Sequence, residues 1–113
     1  MSRNQQIQNF IDALEAADGV SVDERLGQTG NYGQANVSTS ATLLIEGNIN
    51  RQSTLIQNTG SGPVYVGFDN EVTPSDGIEV AAGGTYSDET YGGDVYVVAG
   101  SGTKDVRFQE VTQ

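Results

Sequence analysis

The sequence predicts a mainly β chain: an antiparallel two-sheet β-sandwich, jelly-roll or immunoglobulin-like, preceded by one N-terminal amphipathic helix. Three observations lead there. Apolar residues between Asn4 and Ala17 recur at helical spacing, the period drops to two after Gly19, and from there Gly and Ser interrupt the chain every few residues. The organisation that follows is a helical arm over 1–19 and a β-sandwich domain over 20–113. At 113 residues the chain suits one core and has no room for a second catalytic domain.

The helix comes first. Ile7, Phe10, Ile11 and Leu14 fall at i, i+3, i+4 and i+7, a single apolar stripe. Ser2 or Asn4 is placed to cap its start, and Asp18-Gly19 supplies a left-handed stop. A helix of about 14 residues is marginal alone, so the stripe requires a surface to cover it, on its own domain or on a neighbouring subunit.

Strands are expected at 20–26, 37–46, 52–58, 64–68, 77–81, 85–87, 94–99 and 104–111, with Gly-rich turns between them. The stretch from Gly27 to Asn36 has three glycines and no apolar period, which reads as a long surface loop. Alternation assigns faces. Val64, Val66 and Phe68 oppose Tyr65 and Gly67; Val95, Val97 and Ala99 oppose Tyr96 and Val98; Val106 and Phe108 oppose Arg107 and Gln109. Leu43, Ile45, Leu55 and Ile78 complete the expected core. That core is thin for the chain it must order, so stability is expected to come partly from assembly.

Charge narrows the partners. Fifteen Asp and Glu against five Lys and Arg leave a net charge of −10, which repels phosphate backbones and anionic headgroups. Neither nucleic acid nor a membrane surface is an expected partner. Lys104 is the sole lysine, and this acid-rich, lysine-poor balance is that of proteins adapted to molar salt, where carboxylates stay hydrated and their repulsion is screened. The first residues lack the basic and apolar regions of a secretory signal, and no stretch approaches the roughly 20 apolar residues that span a bilayer.

Chemistry is narrowed further. With no His and no Cys there is no imidazole base, thiolate or disulfide, and Ser and Thr lack a histidine partner. Gly100-Ser101-Gly102-Thr103-Lys104 lacks the spacing of a phosphate loop and runs into a strand. An enzyme is not expected, and neither are cofactors or a small-molecule ligand. Asp69-Asn70-Glu71 opens like an EF-hand loop, but the twelfth position is Val80, where a bidentate glutamate is required. Asp69, Asp76, Asp88, Glu89 and Asp94 are candidates for a looser calcium site, and none is assigned as a ligand. Asn36-Val37-Ser38 matches the glycosylation sequon, a three-residue pattern that arises by chance.

From Arg51 onward the order of segments is distinctive: a strand ending Ile56-Gln57-Asn58, a short turn, Val64-Tyr65-Val66-Gly67, then Gly77-Ile78, Gly83-Gly84, Val95-Tyr96-Val97 and a closing Asp105-Val106-Arg107. This order resembles a small β-domain of virion structural proteins of tailed double-stranded DNA viruses, over roughly residues 50 to 110. The resemblance implies a capsid-associated role, as a decoration, cement or turret protein, with a tail, portal-proximal or fibre-base subunit as the alternative. It implies as partners other copies of the chain, in a trimer or pentamer, and other capsid proteins, on the exterior of a virion made in the host cytoplasm. The residues suited to such contacts are the stripe Ile7, Phe10, Ile11 and Leu14, the tyrosines Tyr65, Tyr91 and Tyr96, and the scarce cations Arg51 and Arg107. A carbohydrate-binding module, contacting sugar through Tyr32 or Tyr91, is the reading from a different class.

Overall fold

The computed structural model describes residues 29–113. The expected helix with its stripe Ile7, Phe10, Ile11 and Leu14, the strand expected at 20–26 and the boundary at residue 19 lie outside the described residues.

Eight strands form two four-stranded antiparallel sheets: β1 (Thr29–Val37), β2 (Thr42–Ile45), β3 (Arg51–Asn58), β4 (Val64–Gly67), β5 (Ile78–Val80), β6 (Thr85–Asp88), β7 (Val95–Ala99) and β8 (Lys104–Thr112). Sheet A has the order β1-β8-β3-β6 and sheet B the order β2-β7-β4-β5. The chain therefore crosses between sheets at every connection except the one from β4 to β5. That is jelly-roll connectivity, and it decides between the two sandwiches the sequence leaves open.

The core between the sheets is aliphatic. Val37, Ile56 and Val106 of sheet A meet Ile45, Val64, Val66, Val80, Val95, Val97 and Ala99 of sheet B, with Leu44 beside them. Most of these positions follow strict alternation along their strands, as a sheet with one buried face requires.

Four expected core residues are instead exposed: Leu43, Leu55, Phe68 and Ile78. In β2 the ladder runs Leu43↔Tyr96 and then Ile45↔Val95, so Leu44 is the extra residue of a bulge and turns inward beside Ile45. Leu55 faces outward because Thr54 and Ile56 take the inner positions of β3. Ile78 begins a three-residue edge strand and Phe68 lies just past β4, where the sheets end. Val98 is buried although it faces away from Val97, across the ladder from Tyr65.

The expected loop over 27–36 is also corrected, because Thr29 to Asn36 belong to β1, paired along its whole length with β8. Its inward positions need no large side chain. Gly33 lies opposite Phe108, and a Cβ there would sit 2.7 Å from the tip of the Phe108 ring, which already fills that space. The strand expected over 37–46 is two strands, with Ser38 to Ala41 passing from sheet A to sheet B.

Candidate assembly surfaces

Three surfaces follow from this frame. The first is one end of the sandwich, where β1 begins and the loops 46–50, 68–77 and 89–94 meet. Asn48 N–H donates to the Gly92 carbonyl at 2.7 Å, Gly47 N–H to the Asp94 carboxylate at 2.7 Å, and Gln113 N–H to the Asn50 carbonyl at 2.8 Å. This end carries Ile49, 97% exposed, with Phe68 and Ile78. Tyr91 lies against Phe68 with ring centroids 4.1 Å apart. The opposite end, with loops 38–41, 59–63, 81–84 and 100–103, is built of Gly, Ser, Thr, Ala and one Pro, and carries no large apolar side chain.

Arg51 belongs to the interior of the first end. The ladder pairs Arg51 with Thr112 and then Ser53 with Val111, so Gln52 is a bulge that turns Arg51 to the inner face. Its Nε meets Glu110 Oε2 at 2.8 Å; one Nη donates to the carbonyls of Gly93 at 2.7 Å and Tyr91 at 3.2 Å, and the other to the Glu46 carbonyl at 2.6 Å. The side chain is 1% exposed. Arg51, singled out from the sequence as a scarce cation suited to contacts, is paired within its own chain, where three loop carbonyls and a buried glutamate surround it.

The second surface is the outer face of sheet B. Tyr96 lies across from Leu43 on one side and Gly67 on the other, and Tyr65 lies between Val98 and Glu79. Tyr65 and Tyr96 are thus brought together, half-buried, whereas Tyr91 lies apart in the loop before β7. Val72 folds from the β4–β5 loop onto Gly67, where a Cβ would come 2.4 Å from the Val72 side chain.

The third surface is the outer face of sheet A. Tyr32 of β1, Gln109 of β8 and Leu55 of β3 make one row, with Gln34, Arg107 and Gln57 in the next. Between them is a shallow concavity of about 310 Å3 lined by Tyr32, Leu55, Gln57, Arg107 and Gln109. Arg107 is exposed and meets Asp105, at 3.4 Å along its own strand. Tyr32, 89% exposed, stands on a strand and not in the loop the sequence suggested.

Three aspartates serve their own turns. Asp69 accepts from Glu71 N–H at 3.0 Å, Asp76 from Thr73 N–H at 2.7 Å, and Asp88 from Thr90 N–H at 2.7 Å. Among the described residues no three acids gather in a group suited to a metal ion. No helix among them is long and apolar enough to cross a membrane.

No protein family matches the chain, and no curated protein sequence does. Solved structures do. The chain is similar to a subunit of Bacillus endospore appendages, described as a novel family of disulfide-linked pili, at 18% identity and a TM-score of 0.49 over 74% of this chain and 85% of that one. It is similar to a cupin-2 domain-containing protein from Shewanella frigidimarina NCIMB 400, at 13% identity and a TM-score of 0.50 over 73% and 70% of the two chains. A third similarity, to dTDP-4-dehydrorhamnose 3,5-epimerase from Bacillus anthracis str. Ames, has 15% identity and a TM-score of 0.49 over 77% of this chain and 54% of the enzyme. At such identities the likeness is one of fold, and jelly rolls serve many unrelated functions.

Proposed function

We propose that the chain is a structural subunit of a virion, a capsid-associated decoration, cement or turret protein that assembles by burying its exposed apolar surfaces against neighbouring subunits. One observation carries this reading: Ile49, Phe68, Ile78, Leu43 and Leu55, all large and apolar, remain exposed on a small domain. Large apolar side chains left outside the core gain by being covered. The order of segments from Arg51 to Arg107 supports the virion setting through the resemblance described above. The stripe that the sequence expects at Ile7, Phe10, Ile11 and Leu14 is proposed as the arm, and the face of Tyr65 and Tyr96 as a contact surface. Arg107 and Tyr91 are the remaining candidates for contacts. A tail, portal-proximal or fibre-base position is the alternative within the same class.

The net charge of −10 supports a high-salt setting, because copies of so acidic a chain approach one another only where their repulsion is screened. The deciding experiment is light scattering of the purified chain in dilute and in molar salt at several protein concentrations. A defined oligomer that dissociates or unfolds in dilute salt is the expected result. A folded monomer at every salt and concentration overturns self-assembly.

A second reading, a carbohydrate-binding module, is favoured by the concavity on sheet A, where an exposed tyrosine ring, two carboxamides and a guanidinium face outward together. It predicts a monomer whose sugar binding is lost in Tyr32→Ala.

A further inference from the structure

Among the described residues four strands lie at sheet edges: β1 and β6 in sheet A, β2 and β5 in sheet B. An open edge is a template for pairing with another chain, and proteins blunt it by keeping the strand short, bulging it or placing a charge on it. Three of the four edges are blunted. β5 has three residues including Glu79, β6 has four and ends at Asp88, and β2 has four with a bulge at Leu44.

β1 has none of these devices. It runs nine residues, Thr-Gly-Asn-Tyr-Gly-Gln-Ala-Asn-Val, with no charge, no proline and an unbroken register against β8. Among the described residues no strand pairs with its outer edge. In a chain of net charge −10, a long uncharged strand is where two copies can meet at backbone distance without placing carboxylates opposite one another. Tyr32 adds an exposed ring beside that edge.

We propose that the outer edge of β1 pairs antiparallel with β1 of a second copy, joining the two A sheets into one continuous sheet across a two-fold axis. The inference rests on the structural-subunit reading and names its partner. It makes a dimer the unit of assembly, alone or linking larger rings. Self-pairing is isologous, so each strand supplies the same donors and acceptors that it receives.

The absence of cysteine makes the test clean. Tyr32→Cys, Gln34→Cys and Asn36→Cys each put one thiol on the outer face of β1, and Ser87→Cys puts one on the opposite edge of the same sheet. The full chain is treated in molar salt with a short bismaleimide, and covalent dimer is followed with time. The β1 thiols are expected to couple about tenfold faster or more than the Ser87 thiol, because pairing raises their effective concentration. Tyr32→Lys with Asn36→Lys is expected to lower the scattering mass while leaving the urea midpoint of the protomer within error. An oligomer by light scattering with equal coupling at all four sites overturns β1 pairing and leaves the subunit reading standing. A monomer throughout, including one whose edge is covered by its own residues 20–26, overturns the pairing together with self-assembly.

Discussion

Arg51 and Glu110 face each other inside the sandwich, Nε to Oε2 at 2.8 Å, with side chains 1% and 11% exposed. The guanidinium also binds the carbonyls of Glu46, Tyr91 and Gly93, so one side chain ties β3 and β8 to two loops. It is the fastening of the end that carries Ile49 and Phe68.

Arg51→Ala is therefore expected to cost about 3–5 kcal/mol, because it leaves a buried carboxylate and three carbonyls without their donor. Glu110→Gln keeps an acceptor for Nε and is expected to cost clearly less. Urea unfolding of the two variants checks the order, and equal losses would mean that the carbonyl contacts contribute nothing measurable.

Asn58 plays the matching part at the other end. Fully buried, it donates from Nδ2 to the carbonyls of Gly62 and Val80, both at 2.8 Å, and accepts from Gly60 N–H at 2.9 Å. The Val80 contact joins the two sheets. Asn58→Ala strands these groups and is expected to cost about 3 kcal/mol, at roughly 1 to 1.5 for each lost bond. Asn58→Asp is expected to be worse despite its closer shape, since it turns a carboxylate oxygen toward two carbonyls that need a donor. Chemical denaturation at neutral pH reads the difference.

How far the fold was legible follows from cases like these. Strands β4, β7 and β8 announced themselves because valines at every second position, at 64/66, 95/97 and in Val106, face the aliphatic core. β1 did not, because its inward face is packed by a residue of another strand: the Phe108 ring lies where a side chain at Gly33 would be. Arg51 was noticed for its rarity, but its inward direction depends on the bulge at Gln52, which alternation counted from Leu55 cannot foresee. The outer-face tyrosines Tyr65 and Tyr96 were legible from period two alone. Tyr32 was noticed as a loop residue, and its place in a row with Gln109 and Leu55 was lost with the strand that holds it.

Two glycines of β1 separate packing from backbone effects. A Cβ at Gly30 meets nothing within 4 Å, and neither Gly30 nor Gly33 has a positive φ. Gly30→Ala is expected to leave stability unchanged or raise it by about 0.4–1 kcal/mol, through the unfolded chain. Gly33→Ala drives a methyl into the Phe108 ring and is expected to cost about 1–3 kcal/mol. Adding Phe108→Leu to Gly33→Ala checks the cause: the double variant should fall short of the summed losses, since the shorter side chain relieves the collision.

Three aspartates have carboxyls lowered by hydrogen bonds, and they are expected to contribute to the response to acid. Asp76 is held below its ordinary value of 3.8 by the backbone N–H and then the hydroxyl of Thr73. Burial pulls Asp88 upward, but hydrogen bonds from the Thr90 N–H and hydroxyl overcome it and leave it lowered. The Thr59 hydroxyl and the Gln34 amide lower Asp105, and the Arg107 guanidinium adds to them. A carboxylate lowered in the folded state stays ionised while the unfolded chain has begun to bind protons. The stability it contributes is thus present above the unfolded pKa of about 3.9 and is lost as pH falls through the folded value. Repulsion among the fifteen acids has the opposite sign, since neutralising them favours the compact state. Urea midpoints, measured with an uncharged denaturant so that electrostatics stay unscreened, should hold or rise from neutral pH to about pH 5 and fall below about pH 4. In the triple variant Asp76→Asn, Asp88→Asn, Asp105→Asn the fall should be shallower, and a fall as steep as the parent's would assign acid sensitivity to other carboxylates.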